Sequence, residues 1–253
     1  MRPTLTTTDG LRLAGRRWDT VSTPRAAVVI VHGMAASADC PHVEALAEAM
    51  HRAALDVVTY DARGHGSSEG LSTLGDHEQH DVAAAVELAR LRTEKVVLVG
   101  ASMGAIAAAR YATTDPALTG VVLVSCPSRW RLPRNVRGIL AAGMTRTRPG
   151  RLLVARLSGV RLAAKWTNPA PPVDVVAGLE MPVAYVHGRD DRFIAASDAA
   201  DLYRATPEPR RLTMVPRMGH AFGPLAIEPV DDAVEWVLAT ADAAMPRPVG
   251  ALT

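Results

Sequence analysis

Aromatic residues are scarce: two Phe, four Tyr and four Trp in 253 residues. Any core must therefore be packed mainly by Ala, Val and Leu. The two cysteines, Cys40 and Cys126, are too few for a disulfide framework and cannot by themselves build a structural zinc site. No apolar run approaches the roughly 18 residues that a membrane span needs; the best, residues 26–31, has the length of a strand. Residues 1–10 are polar and lack the apolar h-region of a secretory leader, which makes a cytoplasmic location the expectation. A net excess of one charge is missing too, with 28 Lys+Arg against 26 Asp+Glu. An apolar content of 48% with 21% charged residues excludes wholesale disorder. The length fits one large α/β domain or two small ones.

The neutral total conceals an uneven distribution. Residues 129–173 hold nine Arg and one Lys and no Asp or Glu, a local charge of +10 that leaves the rest of the chain at −8. Such a segment either draws in anions, as an anionic substrate or a membrane surface, or presents a solvated face. No nucleic-acid-binding motif accompanies it, so nucleic acid is not an expected partner.

Short β-branched runs recur at residues 26–31, 56–60, 95–99, 120–124, 182–186 and 211–215, nearly continuous in apolar character. Strands covered on both faces read this way. Between them the apolar positions take helical spacing, as with Val43, Leu46, Ala47 and Met50, or Val230, Val234, Val237 and Leu238. Strands alternating with helices imply right-handed βαβ units and a doubly wound, mostly parallel sheet. Residues 4–18, with Asp9-Gly10 between two strand-like runs, read as an antiparallel hairpin at its edge. The expected fold is thus an α/β, eight-stranded, mostly parallel sheet with an antiparallel N-terminal hairpin edge and a short helical cap insertion. The rhythm breaks between Ser125 and Glu180, a stretch that contains Pro133, Pro149, Pro169, Pro171 and Pro172. An insertion of that length reads as a lid. The expected organisation is a discontinuous core of residues 1–128 and 179–244, a cap of residues 129–178 and a flexible tail of residues 245–253.

The chemistry sits at strand ends. Residues 95–99 run into Gly100-Ala101-Ser102-Met103-Gly104, which opens a helix. This is G-x-S-x-G in a strand–turn–helix context, where a serine is presented on a sharp turn and small residues are needed on either side. A serine nucleophile needs a base and the base needs an orienting acid. Later strands end in His187-Gly188-Arg189-Asp190-Asp191 and in Pro216-Arg217-Met218-Gly219-His220. Ser102, an Asp at 190 or 191, and His220 then follow in the Ser, acid, His order of one fold. The first βα turn is His32-Gly33-Met34. An oxyanion hole needs two preorganised N–H donors, and the amides of Met34 and Met103 are the candidates. His32 reads as a buried structural histidine, and Gly33, Gly100 and Gly104 as elbow and turn residues. Asp61 and Arg63 read as braces of the next loop. His77, Glu78 and His80 lack the HExxH spacing of a zinc helix, and neither metal nor cofactor is expected. An apolar pocket wall is expected from Trp130, Leu140, Met144, Trp166 and Phe222.

Taken in order, His32-Gly33-Met34, Asp61-x-Arg63-Gly64-x-Gly66-x-Ser68-x-Gly70, Gly100-x-Ser102-Met103-Gly104, Gly188-x-x-Asp191 and Gly219-His220 resemble the α/β-hydrolase superfamily. The resemblance is nearest to the branch of monoacylglycerol lipases and serine aminopeptidase-like hydrolases. It places the acid three residues after the glycine, at Asp191. It implies a cofactor-free serine hydrolase that cleaves a small or medium acyl carboxylic ester through Ser102, Asp191 and His220. Ala101 stands where that branch often carries His, and the insertion is poor in Phe and Tyr, which points away from long-chain lipids. A thioesterase or acyltransferase with the same triad is the alternative. A non-catalytic small-molecule binder on the same scaffold is a third reading.

Overall fold

A computed structural model describes residues 1–130, 143, 146–165 and 167–244. Eight strands form one sheet: β1 (Thr4–Thr6), β2 (Arg12–Trp18), β3 (Ala27–Val31), β4 (Asp56–Tyr60), β5 (Val96–Ala101), β6 (Gly120–Val124), β7 (Val183–Gly188) and β8 (Arg210–Val215). Their order is β1-β2-β4-β3-β5-β6-β7-β8. β1 pairs antiparallel with β2, and β2 antiparallel with β4. Every pairing from β4 onward is parallel. The fold is that of the α/β hydrolases, with an antiparallel edge made by the N-terminal hairpin.

The helices are α1 (Pro41–Arg52), α2 (Gln79–Arg90), α3 (Met103–Ala112), α4 (Arg148–Ser158), α5 (Pro172–Val176), α6 (Ala196–Ala205) and α7 (Ile227–Ala244). Side chains alternate along each strand, and the central strands divide their valines between two cores. Val29 and Val31 join Val82, Val86, Ile106 and Leu202 on one face of the sheet. Val28 and Ile30 join Val43, Leu46, Met50, Val230 and Val234 on the other. With both faces covered, a continuous Val-rich run such as β3 loses no burial on either side. The last helix is longer than the spacing of its apolar stripe suggests, because an alanine-rich run continues it past Leu238 to Ala244.

Residues 161–163 are fastened to the loop that follows β4. Arg161 N donates to the Gly64 carbonyl at 2.8 Å, Ser72 N to the Arg161 carbonyl at 2.7 Å, and Ala163 N to Ser72 O at 2.8 Å. Helix α4 starts on a Thr147 cap, whose hydroxyl accepts from Gly150 N at 3.1 Å, with Pro149 in its first turn. It buries only Gly150, and Leu152, Leu153 and Leu157 remain exposed. Val173 and Val176 of α5 are buried in the core layer that contains α3.

Candidate active site

The carboxyl ends of the parallel strands converge on one serine. Ser102 follows β5 directly and caps α3 with φ 53° and ψ −114°. A non-glycine residue held there is strained, and the sequence around it explains why the turn survives. A Cβ on Gly104 would sit 2.2 Å from the Val31 carbonyl oxygen and 2.5 Å from that of His32. A larger residue would therefore push α3 off the end of β3. The Ser102 amide also donates to the Val124 carbonyl at 2.9 Å, which ties the elbow to β6.

His220 lies in the loop after β8. Its Nε2 is 2.9 Å from Ser102 Oγ and its Nδ1 is 2.8 Å from Asp191 Oδ2. A carboxylate only accepts, so Nδ1 carries the proton and Nε2 presents a lone pair to the serine hydroxyl. The Asp191 side chain is fully enclosed, and its Oδ1 accepts the amides of Phe193 at 2.9 Å and Ile194 at 3.0 Å. Burial alone would raise the pKa of this carboxyl. The hydrogen bonds from His220, Ile194 and Phe193 outweigh burial and bring it down to about 2. Asp190 is exposed, and its amide donates to the Met218 carbonyl; the structure thus sets Asp191, not Asp190, against the imidazole. Close approach between β7 and the histidine loop depends on Gly188, where a Cβ would lie 2.2 Å from the Met218 carbonyl oxygen. The loop is pinned beyond His220 by Ala221 N donating to Ser125 Oγ at 3.1 Å.

The β3 turn closes the other side. A Cβ on Gly33 would fall 3.3 Å from Ser102 Cβ, so the peptide joining Gly33 to Met34 lies beside the elbow. Met103 is buried and Met34 half-exposed. Neither amide donates to a backbone acceptor outside helices and strands among the described residues. His32 fixes the turn from beneath. Its Nδ1–H donates to the Gly33 carbonyl at 2.8 Å, and its Nε2 accepts the Ala62 amide at 3.0 Å. Burial, reinforced by the neighbouring His65, lowers its pKa to about 4. The folded state thus refuses a proton that the unfolded chain accepts near its ordinary value of 6.5. This share of the stability is complete above that value and is lost as pH falls toward about 4, roughly 3 kcal/mol in all. Urea midpoints measured from pH 7 to 4 should fall for the parent chain. The midpoints of His32→Gln should be lower at pH 7 and fall less steeply over the same interval, His65, whose pKa burial also lowers, keeping a share of the slope; an equally steep decline would remove His32 as the cause.

Around this centre the other expected residues separate. Asp61 accepts the amides of Ala38 and Ser67, both at 2.8 Å. Arg63 pairs with Asp81 and Asp9. Both brace loops, away from the serine's hydrogen bonds. Glu78 is taken up by Ser72, Thr73 and Gly75, and His80 meets the Thr8 hydroxyl at 3.0 Å. Trp130 donates to the Pro169 carbonyl at 2.7 Å and packs against the layer containing α3. Phe222 packs against the opposite layer. Leu140, Met144 and Trp166 lie outside the described residues. One neighbour escaped the sequence reading: Phe193, 80% exposed, whose ring centroid is 5.1 Å from that of His220. The available signal was an aromatic residue directly after the polar stretch Arg189-Asp190-Asp191-Arg192.

Known proteins agree with this architecture. The chain is 28% identical over 176 residues to the uncharacterized protein YqkD of Bacillus subtilis, a match that covers 66% of this chain and 56% of that protein. The chain therefore spans little more than half the length of that relative. The Pyrococcus furiosus esterase Pf2001 superposes with a TM-score of 0.69 at 20% identity, covering 96% of this chain and 90% of the esterase. Est1E of Butyrivibrio proteoclasticus, solved with ferulic acid bound, gives 0.69 at 17% identity, with 95% and 99% covered. At such identities these structures share the fold. The profile of the family described as serine aminopeptidase, S33, matches residues 22–173, more than half of the chain, and the chain belongs to that family of α/β hydrolases.

Proposed function

We propose that this hydrolase cleaves small or medium acyl carboxylic esters through an acyl-enzyme on Ser102. The observation that carries the reading is the unbroken hydrogen-bond line from Ser102 Oγ through His220 to the enclosed Asp191. Ser102 Oγ attacks the ester carbonyl carbon while His220 Nε2 takes its proton. Asp191 holds the Nδ1–H and stabilises the imidazolium. The Met34 and Met103 amides take the oxyanion. His220 then returns the proton to the departing alcohol. Water, deprotonated by the same nitrogen, next attacks the acyl carbon and frees the acid, restoring Ser102. No step calls on a metal or a cofactor.

The same proposal divides the chain into a core of residues 1–128 and 179–244, a cap of residues 129–178 and a tail of residues 245–253. The cap is given the task of limiting what reaches Ser102, and its cations that of drawing in anionic substrates or an anionic membrane surface. A cytoplasmic location belongs to the proposal as well; no helix among the described residues is long and apolar enough to cross a membrane.

The test is pre-steady-state hydrolysis of p-nitrophenyl butyrate. A burst of nitrophenol, one equivalent or less per chain, should precede steady turnover, because acylation and deacylation are separate steps. Turnover of short acyl-CoA thioesters with none of the oxygen esters would favour the thioesterase. Failure of a fluorophosphonate to label the chain would remove the activated serine, and with it this reading.

A further inference from the structure

Phe193 stands in solvent beside the catalytic base. It is one of two Phe in the chain, and it is 80% exposed, whereas Phe222 packs against a core layer. Burying a phenyl ring is among the larger favourable terms open to a side chain, and at this position the fold forgoes most of it. Single exposed apolar residues are ordinary, but this one is held in place. Its amide donates to Asp191 Oδ1 at 2.9 Å, beside the Ile194 amide at 3.0 Å. The Ile194 carbonyl in turn accepts from His187 Nε2–H at 3.2 Å. The backbone that carries the ring is therefore clamped to the acid of the triad. The ring itself lies against the imidazole of His220, with centroids 5.1 Å apart and planes at 49°. Its remaining surface is open.

We propose that the Phe193 ring forms the alcohol side of the substrate site, and that the preferred esters carry an aromatic or arylmethyl alcohol. The inference rests on the reading of Ser102 as an ester nucleophile and names a substrate class for it. In acylation Ser102 Oγ bonds to the carbonyl carbon, and the bond from that carbon to the alcohol oxygen breaks. The proton on Nε2 goes to the departing oxygen, so that oxygen comes within hydrogen-bond reach of His220. Whatever is attached to it then lies next to the imidazole, where Phe193 offers its open ring. An aromatic alcohol gains there on two counts. It removes apolar surface of both partners from water, and tilted or offset ring pairs add to the area term. An ethyl group is too small to cover the ring. The clamp on Asp191 lowers the ordering cost, because the backbone beneath the ring is fixed before the substrate arrives.

Benzyl butyrate and ethyl butyrate share the acyl group and have alcohols of similar acidity, so their kcat/KM values compare the alcohol side alone. The benzyl ester should be favoured about tenfold or more. Phe193→Ala should bring that ratio to near one, and Phe193→Tyr, which keeps the ring, should retain it. A ring that merely steadied the imidazole would slow both esters by one factor and leave the ratio alone. Ethyl 3-phenylpropanoate carries its ring on the acyl side. A Phe193→Ala effect confined to that ester would overturn the assignment to the alcohol. A ratio near one in the parent chain, or a preference that survives in Phe193→Ala, overturns it as well. The side chain belongs to neither core layer, so the variants should melt with the parent, and thermal midpoints check this. S102A-sensitive turnover of p-nitrophenyl acetate reports on the ester reading separately. Its absence removes both readings, whereas its presence without a benzyl preference removes only the role given to Phe193.

Discussion

Ser102→Ala should reduce hydrolysis of p-nitrophenyl esters by about six orders of magnitude, the scale on which a serine nucleophile fails when its hydroxyl is removed. It should also abolish fluorophosphonate labelling. The fold should survive. Ala carries the same Cβ as Ser into the left-handed conformation at φ 53°, so the strain at the elbow is unchanged. Only the hydrogen bond to His220 Nε2 is lost. The check is kcat/KM beside a thermal midpoint, with the midpoint within a few degrees of the parent. Activity retained within tenfold would show that another group does the chemistry.

Asp191→Asn should lower kcat by about four orders of magnitude, with KM little changed. The carboxylate, held at about 2 by its donors, is charged at every pH where turnover would be measured. An Asn at this position can turn its NH2 toward Nδ1, which favours the tautomer with the proton on Nε2. That nitrogen then has no lone pair for the Ser102 hydroxyl. The neighbouring Asp190→Asn is the control. Its side chain is exposed, and its part in the loop is played by the backbone amide, so the rate should change by less than about threefold, as for ordinary surface substitutions. Equal losses in the two variants would dissolve the role given to the buried carboxyl.

Much of the fold was legible because burial on both faces writes itself into a strand. The runs at residues 56–60 and 120–124 coincide with β4 and β6. Boundaries drifted where the chain stays extended past its last β-branched residue, as at Gly100 and Ala101, which belong to β5. The candidate site was legible in a different way. Each of its residues follows a strand, so order along the chain put Ser102, an Asp at 190 or 191 and His220 at the same edge of a parallel sheet before any distance was known. Phe193 could not be read in this manner. Its significance lies in the ring of His220 that it faces, and no periodicity or motif spacing encodes that.

By itself the sequence determined the layered α/β architecture, the sharp turn at Ser102 and the set of groups able to serve it, because alternation, glycine placement and strand-end chemistry are local properties. Of the two adjacent carboxyls that residue order left open, and between which only the resemblance chose, the tertiary structure turns Asp191 toward His220. It also decided that His32 carries its proton on Nδ1. Both depend on contacts between segments 29 and 30 residues apart, and only close packing of those segments settles which polar atoms meet.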